Sequence, residues 1–249
     1  MLAVPLLIGL TVAPIWRWSA LLAMVAVLSL FLARYPIETL IKTKKRNSML
    51  IAWSIIYSVL AILSAGWLIM IDRLIGLVPI GLLGAALMLF HFRLAAQRQE
   101  MSALGELSGI AALALGAPIV YTAASGQLDA TAFVLWLINS LYFGGTVFYI
   151  KLKVRQQPRR PAPDRISQRL VQAKACLTYQ TVTLAIVVTL VMLQVVPMLI
   201  VLAFLPITLK VLVGAYQWQD KHSLSLPRLG LIELFHSALF AALVIVALK

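Results

Sequence analysis

Apolar runs of about 20 residues recur along this chain, the length a helix needs to cross about 30 Å of hydrocarbon. In lipid, every backbone N–H and C=O must find its partner within a helix or a closed barrel. A barrel would show short segments of alternating polarity, and the runs here are continuous. Composition agrees: 62% of the 249 residues are hydrophobic and 12% charged, against about 45–50% and about 25% in soluble domains. The pattern predicts spans over 2–16, 18–35, 49–71, 74–92, 103–124, 130–150, 175–195, 197–213 and 229–248. The expected fold is an all-α polytopic membrane protein of about nine transmembrane helices in one bundle. Residues 1–249 read as a single integral membrane domain, with 151–174 a basic cytoplasmic loop inside it. The "QQPRRPAPD" core of that loop is rich in Pro and Arg and reads as irregular.

The first run has neither a basic flank nor a small-residue cleavage site, so it is not read as a signal peptide. The net charge of +13 is concentrated in a few segments. The segments 34–48, 93–102, 151–174 and 214–228 hold 17 of the 21 Lys and Arg residues. Arg17, Arg73 and Lys249 form the opposite set, and Lys210 lies within a span. Short basic loops stay in the cytoplasm. The chain is therefore expected in the bacterial cytoplasmic (inner) membrane, N-terminus inside and C-terminus outside. The charge then serves topology and contact with anionic headgroups. Nucleic acid is not expected as a partner, because no groove-reading or base-stacking motif accompanies the charge. Cys176 stands alone, which excludes an internal disulfide and a thiolate metal cage.

Given this topology, the ionisable residues near the membrane fall at cytoplasmic depth. Glu106, Glu233 and His236 start their helices there. Arg34 with Glu38, His91 with Arg93, Lys151 with Lys153, and Lys210 end theirs there. Each taken singly has a plain explanation, since helix dipoles favour anions in first turns and long basic side chains snorkel to headgroups. Together, acids and bases converge on one layer. The candidate ligand-binding residues are Glu106, Arg93, Arg98, Glu233, His236, Glu38 and Lys151. Gly105 and Gly109, continued by Ala112 and Gly116, form a small-xxx-small face that lets a neighbouring helix approach closely. Glu106 is expected to face the bundle interior and to pair with Arg93 or Arg98.

Catalytic motifs are scarce. "ELFH" sets Glu233 and His236 at i and i+3 on one helix face. Di-iron bundles use such a pair twice, and this chain has one copy; a Glu–His hydrogen bond is the competing reading. No metal or other cofactor is expected. A Gly-rich phosphate loop, a G-x-S-x-G elbow and an H-E-x-x-H motif are all missing. Asn139 and Gln194 read as span polars that bond between helices. Pro79, Pro118 and Pro206 are candidate helix breaks.

The stretches "LGELSGIAALALGAPIVY" (104–121), "VFYIKLKVR" (147–155) and "RLGLIELFHSALFAALVI" (228–245), with the opening "MLAVPLLIGL", resemble the YwiC-like family of uncharacterised bacterial membrane proteins. The resemblance implies no established activity. Members usually carry a His-Gly-Ala-Trp stretch ahead of the first span, absent here, so a truncated start is expected. Nine spans and a polar layer at cytoplasmic depth are also similar in architecture to the UbiA-type prenyltransferases. Those enzymes hold Mg²⁺ and a prenyl diphosphate on two Asp-rich motifs. The corresponding "RYPIETLIKTKKRN" offers Glu38 alone, and "YIKLKVRQQPRRPAPD" has no carboxylate before Asp164. Mg²⁺ chemistry needs such carboxylates, whereas Lys and Arg can hold an anionic headgroup directly.

Three functions follow. The first is a membrane protein holding an anionic or lipid-like ligand, such as an isoprenoid phosphate, in the cytoplasmic-side layer. The second is a transporter. The third is a UbiA-related enzyme acting on prenyl or phospholipid substrates.

Overall fold

The computed structural model describes residues 2–43, 47–99, 101–159, 161–218 and 225–249. Lys44, Lys45, Arg46, Arg160 and Lys221 of the basic segments lie outside the described residues. The helices are α1 (Ala3–Val12), α2 (Trp18–Thr43), α3 (Ser48–Met70), α4 (Leu77–Ala96), α5 (Ala103–Ala114), α6 (Gly116–Ser125), α7 (Ala130–Ile150), α8 (Ile166–Gln172), α9 (Lys174–Met192), α10 (Leu199–Tyr216) and α11 (Leu226–Leu248), and no strand occurs among the described residues. The protein is an all-α polytopic membrane protein.

Among the described residues, eight helical segments are long and apolar enough to cross a membrane, α5 with α6 counting as one and α7 running on to Arg159. The expected first span is the exception. Its helix has 10 residues, about 15 Å at 1.5 Å per residue, half the hydrocarbon thickness. Pro14 explains the stop: Ala13 before it is extended (ψ 134°), as a residue preceding proline prefers.

The chain divides into two compact units, Met1–Ser140 and Leu141–Lys249. In the first, α2 packs along α3, and α6 packs on α1 and α2. Ala20, Ala23, Ala26 and Ala33 are buried at helical spacing on α2, so packing there rests on small residues and close backbones. Between α1 and α6 the approach is closest: a Cβ on Gly9 would fall on the carbonyl oxygen of Ala117. The core of the second unit is aromatic instead. Tyr142 stacks on Phe240 with centroids 3.8 Å apart, and Phe204 meets Phe240 edge-on at 5.6 Å. In both units large aliphatic side chains such as Ile55, Ile62, Leu209 and Leu231 are exposed, the arrangement expected where lipid is the solvent. Trp18 opens α2 and Trp67 closes α3, both exposed, at helix ends where indole rings meet headgroups.

Local chemistry sets the helix ends. Asn47 accepts from the N–H groups of Met49 and Leu50 to start α3, and Ser102 accepts from Gly105 N–H to start α5. Such caps satisfy donors that a helix start leaves over. Gly126, at φ +83°, ends α6 by bonding back to Thr122. Of the three prolines expected to break helices, only Pro118 coincides with a break, at Leu115. A proline has no N–H for the carbonyl four residues back, here Ala114, the last residue of α5. Pro206 sits inside an uninterrupted α10, and Pro79 lies in the first turn of α4, where it costs little.

Two expected span polars are corrected. Asn139 is fully buried but donates to Leu135 within its own helix, and Gln194 lies exposed in the turn after α9 at φ +57°. The loop expected at 151–174 is largely helical. Lys151–Gln156 prolongs α7 as a π-helical turn, Gln157–Arg159 follows as a 3-10 turn, and α8 comes later. The irregular part shrinks to the stretch holding Pro161 and Pro163.

Candidate functional site

In the first unit α2 runs on through Pro36 to Thr43, beyond the expected end at 35. Arg34, Glu38 and Lys42 therefore share one helix face at i, i+4 spacing. Lys42 Nζ lies 2.6 Å and Arg34 Nε 3.5 Å from the Glu38 carboxylate. Arg34 also reaches α4, where Nη2 donates to His91 Nε2 at 2.8 Å. His91 is buried, and its Nδ1 lies 3.1 Å from the carbonyl oxygen of Gly105. A carbonyl can only accept, so Nδ1 carries the proton. Nε2 then accepts from Arg34, and the ring is neutral in this arrangement.

The glycine face of α5 lies against this contact, at a distance that an added Cβ would also accept. A Cβ on Gly109 would stand 3.5 Å from His91 Nδ1 and 3.7 Å from Arg34 Nη1. The helix packed along this face of α5 is α4. Gly116 continues the face against Leu6 and Val27.

The remaining candidates of this unit lie at the start of α5 and the end of α4. Glu106 is half-buried in the first turn of α5, as expected. Arg93 and Arg98 are exposed at the C-terminal end of α4, with Arg98 at φ +57° in the turn that closes it. The Glu38 carboxylate is taken up by Arg34 and Lys42.

In the second unit the C-terminus of α10 is the organising feature. Its last carbonyls lack helical donors, and side chains supply them. Gln157 Nε2 donates to Gly214 O at 3.0 Å, Arg169 Nη1 to Tyr216 O at 3.2 Å, and Lys153 Nζ to Gln217 O at 2.6 Å. The π-helical turn that prolongs α7 carries Lys153, and the next residue after it is Gln157. Lys151, the expected candidate, is half-buried on the same turn.

One turn and more back along α10, Lys210 places Nζ 2.8 Å from each oxygen of Glu233 on α11. Both residues are buried. The same ammonium stands 4.7 Å above the ring of Tyr149, a cation–π distance. Glu233 was expected in a first helical turn, steadied by the dipole. Helix α11 instead begins at Leu226 with Pro227 in its first turn, so Glu233 lies two turns in and Lys210 balances it. The expected Glu233–His236 partnership gives way to this ion pair. His236 bonds its ring Nδ1 to Ile232 O at 2.8 Å, and no cluster of three or more His, Cys, Asp and Glu residues able to hold a metal forms among the described residues.

Beside the ion pair lies a cavity of about 370 Å³. Lys153, Lys210, Arg228 and Tyr149 line it, with Gly214 and Gln217 on the α10 side. Lys153 uses one N–H on Gln217 and Lys210 uses two on Glu233, so each ammonium, with three donors, keeps at least one. Sequence reasoning assigned Lys153 and Lys210 to the cytoplasmic layer but did not single them out as ligand-binding residues; Tyr149 and Arg228 were missed. The available signal was Lys210 itself. A lone lysine inside an apolar run must find a buried anion, and Glu233 is the carboxylate at matching depth.

Residues 1–121 match the family described as YwiC-like protein. The chain is 27% identical over 162 residues to the uncharacterized protein YwiC of Bacillus subtilis (strain 168), covering 64% of this chain and 65% of that protein. It thus spans less than two thirds of the relative's length. No solved structure matches. The resemblance to YwiC-like proteins read from the sequence is therefore matched by the family over residues 1–121 and by an uncharacterized relative over 64% of the chain.

Proposed function

We propose that this protein binds an anionic, lipid-like ligand in the cavity at the end of α10, on the cytoplasmic side of the bacterial inner membrane. The observation that carries the reading is the convergence of Lys153, Lys210 and Arg228 on one cavity whose described lining has no carboxylate. Lys210 is matched by Glu233, but Lys153 and Arg228 have no carboxylate partner among the described residues, which suits an anionic headgroup, and Lys and Arg are both competent phosphate ligands.

The side follows from charge. The basic segments join helix ends that short-loop rules keep in the cytoplasm. Eight crossings from α2 to α11 then place Arg17, Arg73 and Lys249 together on the outer side. With α1 too short to cross, the residues before Trp18 belong to that outer side as well, in place of the inside start expected from nine spans. Glu38, Arg93, Arg98, Glu106 and Lys151 remain at the inner helix ends in this topology.

Mass spectrometry of lipids retained by the purified protein tests the reading. The expected result is an anionic lipid enriched over the bulk membrane, and its loss from Arg228→Gln and Lys153→Met proteins that still elute as folded species. Identical lipid profiles for all three proteins would overturn it.

A further inference from the structure

The charge of the cavity's described lining is countable. Three cationic side chains, Lys153, Lys210 and Arg228, line it, and the Glu233 carboxylate engages Lys210 through both oxygens. Among the described residues, Glu233 cancels one charge, which leaves two positive charges, those of Lys153 and Arg228, for a ligand. Lys153 is buried, so its charge is weakly screened by water and its neutralisation matters.

We propose that the cavity selects a phosphomonoester headgroup on a lipid, with Glu233 setting that preference by holding Lys210 out of the count. This rests on the ligand reading above and narrows it to a charge class. A phosphomonoester carries about −1.5 to −2 charges near neutral pH; a phosphodiester carries one. The first balances Lys153 and Arg228, whereas the second leaves one of these two cations unmatched. The lipid part of the ligand has a path as well. Val213, which lines the cavity, is an exposed apolar side chain, as are Leu209 and Leu212 on α10 and Leu231 on α11, next in sequence to lining residues, so a chain leaving the cavity meets hydrocarbon-facing surface.

Binding of three probes to the detergent-solubilised full chain tests this: dioctanoyl phosphatidic acid, dioctanoyl phosphatidylglycerol and inorganic phosphate. The expected result is tighter binding of phosphatidic acid than of phosphatidylglycerol by about tenfold or more, the size of effect one charge-assisted hydrogen bond carries. Arg228→Gln, an exposed position that folding tolerates, leaves one free charge and should bring the two lipids within a factor of about three. Glu233→Gln uncovers Lys210 and should tighten both lipids. Glu233→Asp keeps the charge and should keep the preference, which guards against a Glu233→Gln protein that does not fold.

Phosphatidic acid and phosphatidylglycerol binding equally to the unaltered protein would overturn the charge assignment while leaving anionic-lipid binding intact. Weaker binding in Glu233→Gln would overturn the role given to Glu233. Inorganic phosphate competing as strongly as phosphatidic acid would assign the site to free phosphate and overturn the lipid half. Neither lipid binding at all would sink the reading on which the proposal rests.

Discussion

Lys210 and Glu233 stand 23 residues apart in sequence and meet with the ammonium 2.8 Å from each carboxylate oxygen, both side chains buried. A buried pair of this kind is costly to break from one side, because the partner left behind is an unmatched charge. Lys210→Met and Glu233→Leu should each lower stability by about 3–5 kcal/mol, while the double variant should cost far less than the sum. Unfolding in a fixed detergent for the two singles and the double checks this. Additive losses would show that the two charges are solvated independently.

Gly214 is held by contact, not by backbone conformation. A Cβ there would come within 2.5 Å of Tyr149 Cε2 and 3.2 Å of Lys153 Cε. Alanine ordinarily favours a helix over glycine by about 1 kcal/mol. Here the overlap with a buried ring should reverse the sign, giving a net loss of about 1–3 kcal/mol. Because the displaced groups are Tyr149 and Lys153, Gly214→Ala should also weaken anionic-lipid binding. Unfolding and binding measured on one preparation read both effects.

The helix contact in the first unit gives a paired prediction. Arg34 and His91 bond at 2.8 Å, and His91 bonds onward to Gly105. Arg34→Ala, His91→Ala and the double should show coupling on the order of 1 kcal/mol or more, since the residues share one network. Lys42, at the end of the same run, forms a half-exposed i, i+4 pair with Glu38. Its alanine variant should lose no more than about 0.5 kcal/mol. Equal effects at Arg34 and Lys42 would mean that the His91 bond adds nothing.

Gly9 tests the short first helix. A side chain there would meet the Ala117 backbone, which cannot move aside as a flexible side chain can. Gly9→Ala should lift α1 from α6, with a loss of about 1–3 kcal/mol. Trypsin cleavage after the exposed Arg17 should accelerate in step. An unchanged cleavage rate would show that α1 is not held at this point.

What the sequence made legible was decided by hydrophobicity. Run length and apolar content located every long helix, because in lipid no competing backbone structure is available. The Gly105 and Gly109 face was legible for the same reason, small side chains in an apolar run having one common use. Partner choice was not legible. Glu233 and His236 share a face in sequence, yet Glu233 pairs with Lys210 from another helix, a long-range choice that local spacing does not encode; α11 itself starts three residues earlier than hydropathy indicates, with Pro227 in its first turn. The extension of α2 to Thr43 was hidden by Pro36, and it alone aligns Arg34, Glu38 and Lys42. The cavity depends on the π-helical turn at Lys151–Gln156, a departure from the 3.6-residue period that no periodicity argument anticipates.

The assignment of the cavity to the cytoplasm depends on the sidedness of the helix ends. Single cysteines report it if they sit at exposed positions and the native thiol stays silent. Cys176 is buried, so it is a poor target for a membrane-impermeant maleimide. Gln157, within the basic segment, is unsuitable as a reporter because it is fully buried against Gly214 O; a cysteine there would escape labelling on either side. Gln168 on α8 and Gln127 between α6 and α7 are both exposed. In intact cells Gln127→Cys should label readily and Gln168→Cys only after permeabilisation, since Gln168 neighbours Arg165 and Arg169 in the most basic segment of the chain. A third reporter at Ile15, exposed just before α2, should label like Gln127 if α1 does not cross. Labelling of Gln168→Cys from outside would invert the topology and move the cavity to the outer face. Labelling of Ile15→Cys only after permeabilisation would restore the ninth crossing.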